Sequence, residues 1–167
     1  MKKILAFMAF ACVFAIGCMS MQKTDPTLVE KPFQYVYVFD GAKKDAIYDK
    51  SLGWFAETYN SSNEVLQLKD KANGKIIGRG AGEFYCAMWL RKYSYTVKLE
   101  IKDGKSRLTF DGYKPETYIG TNPLSGEKTE VGGMGLDYQE PYDLVKANFD
   151  KLSSKYDQYI KAKETSF

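Results

Sequence analysis

Histidine is missing altogether from the 167 residues. Without an imidazole there is no Ser-His or Cys-His nucleophile pair and no histidine-ligated metal, and no ordinary side chain titrates near neutrality. Cysteine is scarce, at three residues, and proline is equally sparing at five. A surplus of one charge is lacking too, with 24 Lys+Arg against 21 Asp+Glu. Binding to a phosphate backbone therefore has little electrostatic footing. The apolar run Ile4–Ile16 falls short of the roughly 20 residues that a membrane-spanning helix needs. What is present is apolar and aromatic: 44% hydrophobic and 15% aromatic residues, with a charged fraction of 27%. That composition excludes a disordered chain and fits one domain with a real core.

The leading segment has the layout of an export signal. Lys2 and Lys3 form a basic start, Ile4–Ile16 the apolar run, and Ala15-Ile16-Gly17-Cys18 resembles a bacterial lipobox. On this reading residues 1–17 are a cleaved lipoprotein signal peptide and Cys18 carries the lipid. An ordinary secretory signal cut near Ser20 is the alternative. Loss of Lys2 and Lys3 would leave 22 basic against 21 acidic side chains. Cys12 would go as well and Cys18 would be occupied, so Cys86 would be a lone thiol with no disulfide partner. Its setting, Phe84-Tyr85-Cys86-Ala87-Met88-Trp89, suits a buried structural cysteine rather than a nucleophile. Met19 in place of an aspartate favours the outer membrane, with the side undetermined.

Residues 18–32 read as a polar tether, with Asp25-Pro26 and Lys31-Pro32 discouraging helix. Phe33–Phe39 is a strand whose apolar character on both faces suggests an interior position, or one face under a helix and the other partly covered. Asp40-Gly41 breaks it and can cap a helix over Lys43–Tyr59, which places Ile47, Ser51, Trp54, Phe55, Thr58 and Tyr59 on one side. Two hairpins follow, one turning at Asn73-Gly74 and one at Asp103-Gly104. In the second, a tight turn pairs Lys102 with Lys105, Glu100 with Arg107, Leu99 with Leu108 and Val97 with Phe110. Opposite charges then meet on one face and apolar residues on the other. Residues 113–140 are rich in glycine and proline and read as a long loop. A final helix from Pro141 to about Ala162 carries Tyr142, Val145, Phe149, Leu152, Tyr156 and Tyr159 on one seam, before a tail at 163–167. The order is β-α-β-β-β-β-α over residues 33–162, an α+β domain with an antiparallel sheet and helices on one face.

Ala46–Phe55, Leu66–Asp70, Asn73–Gly80 and the hairpin around Lys102-Asp103-Gly104-Lys105 together resemble a bacterial exported family. It is the domain of unknown function 4468, described as having a TATA-binding-protein-like (TBP-like) fold. The likeness runs from about Tyr35 to Tyr113. It implies the same order of elements and brings no catalytic residues; Gly41 stands where a Ser or Thr helix cap is expected. A fold name carries no function by itself.

Several residue groups invite a chemical reading. Gly78-Arg79-Gly80-Ala81-Gly82 lacks the Lys-Ser/Thr and following helix of a phosphate loop, so close packing, with a helix carrying Trp54, explains it better. Glu83, Glu100 and Asp111 could act as paired acids on an envelope glycan if a cleft raised one pKa. Glu100 has a ready partner in Arg107, however, and Lys98 lies close, which fits a solvated charge ladder better. Tyr113, Tyr118, Met134, Leu136 and Tyr138, on the glycine-rich segment, form the expected recognition surface together with the sheet. The balance favours a non-enzymatic, lipid-anchored envelope domain that binds a partner protein or small ligand, with no cofactor, metal or nucleic acid. A carboxylate hydrolase and a structural subunit are the alternatives.

Overall fold

The computed structural model describes residues 22–59, 65–86, 89–121, 126 and 128–162. In chain order it contains a single-turn helix α1 (Pro26–Val29), strand β1 (Phe33–Val38) and helix α2 (Lys44–Thr58). Strands β2 (Leu66–Asp70), β3 (Lys75–Cys86), β4 (Trp89–Lys102) and β5 (Lys105–Pro115) follow. A short hairpin of β6 (Tyr118–Thr121) and β7 (Lys128–Val131) precedes the last helix, α3 (Gln139–Lys161). The predicted β-α-β-β-β-β-α order is present, with α1 and β6–β7 added. Strands β1 to β5 form one antiparallel sheet in the order β1-β5-β4-β3-β2.

The β4–β5 hairpin has the predicted register: Lys102–Lys105, Glu100–Arg107, Leu99–Leu108 and Val97–Phe110 are all opposite pairs. A one-residue slip would have put Val97, Leu99 and Ile101 into water, so the apolar alternation fixes the pairing. Its turn also organises the neighbouring connection. The Asp103 carboxylate accepts from the Lys44 N–H at 2.8 Å, Gly104 N–H donates to Ala42 O, and Phe39 N–H donates to Gly104 O. The cap of α2 thus comes from the distant hairpin, which corrects the expectation that Asp40-Gly41 supplies it; Lys43 at the N-cap position has no capping side chain of its own.

Both long helices lie on the same side of the sheet. Phe149 of α3 stacks on Phe110 with centroids 4.4 Å apart and rings 5° from parallel, and meets Tyr95 edge-on at 4.9 Å. Trp54 and Phe55 of α2 are fully enclosed, and Trp54 packs edge-on to Tyr156 of α3. Each such side chain contributes about 1.5–3 kcal/mol through removal from water. Several polar groups caught in this layer meet one another, whereas the Trp54 indole N–H has no hydrogen-bond partner among the described residues. Ser51 donates to Ile47 O and lies 3.0 Å from the Tyr156 hydroxyl, which in turn donates to Ser106. Helices α2 and α3 and strand β5 are thereby joined through one buried chain of hydroxyls.

The glycine strand is packed, by a different set of neighbours from the one expected. A side chain at Gly78 would press on Phe55, not Trp54, whereas at Gly80 and Gly82 it would collide with the rings of Tyr95 and Tyr93. Those two tyrosines lean from β4 across the missing side chains of β3.

Three further expectations are corrected. Strand β1 is an edge strand, which excludes the interior position; the alternative holds for the face under a helix, but the other face is exposed rather than partly covered. Phe33, Tyr35 and Tyr37 pack toward α3, while Val36 and Val38 are 65% and 63% exposed. Residues 22–32 are docked rather than free. Asp25 caps α1 by accepting from Thr27 N–H, with Pro26 in the first turn, where it lacks only a donor the helix does not use. Thr24 N–H bonds to Asp137 O and Gln139 N–H to Gln22 O. The stretch 113–140 is not one irregular loop either, because β5 runs to Pro115 and β6 pairs with β7. Cys86 is a free, buried cysteine, as its neighbours in the sequence suggested.

Candidate binding surface

Among the described residues, no helix or second sheet covers the side of the sheet away from α2 and α3. Along it, the register lines up Val36, Arg107, Glu100, Lys75 and Asp70 as one row across all five strands. The adjacent row is Gln34, Thr109, Lys98, Ile77 and Leu68. Arg107 donates through Nε to Glu100 at 2.7 Å and through its terminal nitrogen to the same oxygen, and Lys98 binds Asp111 at 2.6 Å. Lys98 holds the Asp111 carboxyl below the usual carboxylate range, with the Gly112 N–H assisting. The cations outnumber these acids. Lys75, Arg79, Lys92, Lys102 and Lys105 are exposed on the same face and make no ion pair among the described residues.

This arrangement bears directly on the three acids. Asp111 is shifted toward easier ionisation, the wrong direction for a general acid at neutral pH. Glu100 is committed to Arg107. Glu83 is exposed on β3 opposite Lys92, and its backbone carbonyl accepts from Asn148 of α3. None of the three has the buried setting that holds a carboxyl protonated. Among the described residues, no three His, Cys, Asp or Glu side chains are grouped to hold a metal ion.

The recognition residues expected on the 113–138 segment divide. Tyr113 donates to Met134 O at 2.8 Å, and burial pushes its phenol well above the ordinary range, with Tyr93 adding to the effect. Leu136 is in the core and Met134 packs against it. These three therefore sit together, but under the helix side of the sheet and mostly out of solvent. The physical cause is Gly112, whose φ of +62° accompanies a register shift between Ser94 and Thr96. The bulge turns Tyr113 to the same face as Phe110, where simple alternation would have put it on the open side. Tyr138 is half-buried at the start of α3 and bridges to Lys23. Tyr118 begins β6 opposite Val131. Cys18 lies outside the described residues.

The cavities found among the described residues are small or shallow. A cleft between the 29–33 segment, Phe110–Tyr113, Leu136 and Phe149 leaves about 40 Å³ for the centre of a water molecule. At about 10–15 Å³ per water that is room for a few waters and no more. A hollow of about 530 Å³ between α2 and α3 is larger but open to solvent, floored by Trp54 and walled by Glu57, Leu152, Lys155 and Tyr159. The aromatic cluster that might have enclosed a ligand is filled with its own rings. No helix of the described residues is long and apolar enough to cross a membrane.

Comparisons with known proteins agree with this architecture. Residues 33–114 match the family model described as "Domain of unknown function (DUF4468) with TBP-like fold". Among solved structures, a TBP-like protein from Parabacteroides distasonis superposes with a TM-score of 0.58 at 11% identity, covering 80% of this chain and 94% of that one. A DUF4468 family protein from Bacteroides ovatus aligns at 15% identity with a TM-score of 0.48, over 89% of this chain and 95% of its own. No curated protein matches the chain.

Proposed function

We propose, from the premise that residues 33–114 carry a DUF4468 domain with a TBP-like fold, that the chain is a non-enzymatic binding domain. In this reading it is held by lipid at the bacterial cell envelope, on the outer membrane, and docks a partner protein on the open face of its sheet. The single observation that carries the reading is the contrast between the two sides. One is covered by helices and holds no ligand-sized enclosed cavity found among the described residues, and the other is a five-stranded surface whose cations outnumber its acids. Such a surface suits a broad partner with acidic patches better than a small molecule, which needs concave enclosure. Cys18 is the anchor, and the cleavage before it removes residues 1–17.

Two experiments divide the reading into its parts. A photoreactive phenylalanine analogue at Thr96, in the middle of the open face, is expected to give a discrete protein adduct in cells expressing the full chain. The same probe at Glu57 on α2 is expected to give none. Equal labelling from both positions, or no adduct from Thr96, removes the docking surface. Separately, Cys18→Ser is expected to abolish palmitate incorporation and release a folded protein from the membrane fraction. Label that persists in this variant removes the anchor.

A further inference from the structure

The two edges of the sheet are protected very differently. At the β2 edge the strand is only five residues long, ends in Lys69 and Asp70, and has a register shift between Leu66 and Leu68. Shortness, charge and bulging are the ordinary devices that stop an edge from recruiting another strand. The β1 edge, at six residues hardly longer, lacks the other two. From Phe33 to Phe39 there is no charged residue, no glycine, no proline and no bulge, and the pairing with β5 is regular over all six residues.

The backbone of β1 presents a usable template. Phe39 N–H donates to Gly104 O, so the odd-numbered residues of this strand direct their backbone groups inward to β5. Alternation then turns the N–H and C=O groups of Gln34, Val36 and Val38 outward, where no strand pairs with them among the described residues. The side chains of the same three residues stand on the open face, and the two valines are the most exposed aliphatic side chains described. Arg107 and Lys105 flank them from β5, so the valines form an apolar border beside a charged surface.

We infer that β1 pairs antiparallel with β1 of a second copy of this chain, joining two five-stranded sheets into a continuous ten-stranded one. Self-pairing is favoured over a foreign strand by the composition of the edge itself. A two-fold axis at Tyr37 sets Val36 opposite Val38 of the second copy, and Val38 opposite its Val36. It also sets Tyr35 opposite Phe39, and brings no like charges together within the strand. The two valines that each copy exposes, four in all, are then packed against one another, and the outward N–H and C=O groups of Val36 and Val38 are matched in pairs. An isologous contact requires self-complementarity of this kind. The inference is independent of what docks on the open face.

The test is the mass of the full chain, purified in detergent and measured by light scattering with the detergent contribution subtracted. A dimer is expected at about 10 μM protein, and Val36→Lys with Val38→Lys is expected to halve the mass. Because both positions are solvent-exposed in the single copy, the lysine variant is expected to keep the wild-type circular-dichroism spectrum and a cooperative melt, its midpoint lowered only by loss of the dimer's stabilisation. Oxidation of a Val36→Cys, Val38→Cys double variant is expected to give a covalent dimer, while Leu68→Cys at the opposite edge is not. A monomeric wild type, a dimer that survives the lysine substitutions, cross-linking through Leu68→Cys to the same extent, or a complex with a different polypeptide in place of the dimer would each overturn the pairing.

Discussion

The two faces of the sheet are built from the same strands, residue by residue in alternation, yet are held by different physics. On the helix side, Val97, Leu99, Ile101, Leu108 and Phe110 are almost completely buried and bear the weight of α2 and α3. On the other side the intervening residues make ion pairs in which both partners are more than 40% exposed. Water screens such pairs, and the entropy of holding two long side chains offsets much of their attraction. The contrast teaches that stability resides in one face, which leaves the other free to vary in charge and to serve recognition.

The largest effect separating the faces should come from Phe149. Its ring stacks on Phe110 and touches Tyr93, Tyr95 and Phe33. Phe149→Ala is expected to cost about 3–5 kcal/mol in urea denaturation, the range for deleting a fully buried phenyl ring. A loss below about 1 kcal/mol would mean that α3 is not seated as described.

The response to pH divides along the same line. Burial pushes Tyr95 up to about 12, and Tyr59, Tyr93, Tyr113 and Tyr156 are shifted in the same direction for the same reason. A phenol whose folded pKa is raised favours the folded state below its unfolded pKa of about 10, and that contribution disappears as pH climbs through the folded value. For Tyr95 the shift corresponds to about 3 kcal/mol. Alkaline unfolding is therefore expected to begin above about pH 10 and to coincide with a late, cooperative rise in tyrosinate absorbance. Asp111 works in reverse on the open face. Lys98 lowers its pKa, so its contribution is present above about pH 4 and is lost as pH falls through the folded value. Between these limits the chain has no histidine to titrate. Stability should be flat from about pH 6 to 8, and a slope in that window would reveal a coupled group. Above it the Cys86 thiol, pushed up by burial, adds to the loss as the unfolded thiol ionises near its ordinary value of about 8.5.

A smaller effect tests the tyrosines that lie over glycine. Gly80→Ala adds a methyl where the Tyr95 ring lies, and overpacking of that kind costs about 1–3 kcal/mol. Ala81→Val, one residue along and exposed on the open face, should stay within about 0.5 kcal/mol. Equal effects at the two positions would dissolve the distinction between faces.

How much of this was legible depends on the range of the interaction. The β4–β5 register could be read because period-two alternation and an Asp-Gly turn are local, and a wrong register would have exposed every apolar residue at once. Cys86 was legible from its apolar neighbours. The cap on Lys44 was not, since Asp103 lies 59 residues away and nothing near Lys43 announces it. The inward turn of Tyr113 had a signal in Gly112, a glycine within an alternating strand, but alternation alone pointed the other way. Tyr48, Ser153 and Ile160 belong to the buried helix faces and were outside the expected stripes, Ser153 because its hydroxyl bonds back to Asp150 O and so tolerates burial. The place of β1 was hidden for a different reason. Apolar residues on both sides of a strand are the mark of a central position, and an edge that leaves valines in water looks identical in one dimension.

The smallest expected effect is also the most diagnostic for the open face. Glu100 and Arg107 are directly opposite and hydrogen-bonded, with side chains 44% and 47% exposed. A double-mutant cycle with Glu100→Ala and Arg107→Ala should give a coupling of about 0.2–1 kcal/mol. Raising the salt toward 1 M should reduce it further, because the screening length then falls to about 3 Å. A coupling several times larger that resists salt would mean the pair is shielded from water, and the face would then have to be covered by something. Were that found in the purified monomer, the covering element would have to come from the chain itself. A coupling that is small in the monomer and grows when a partner is added would instead mark the docking surface, because removing water from a fixed ion pair strengthens it without altering its geometry.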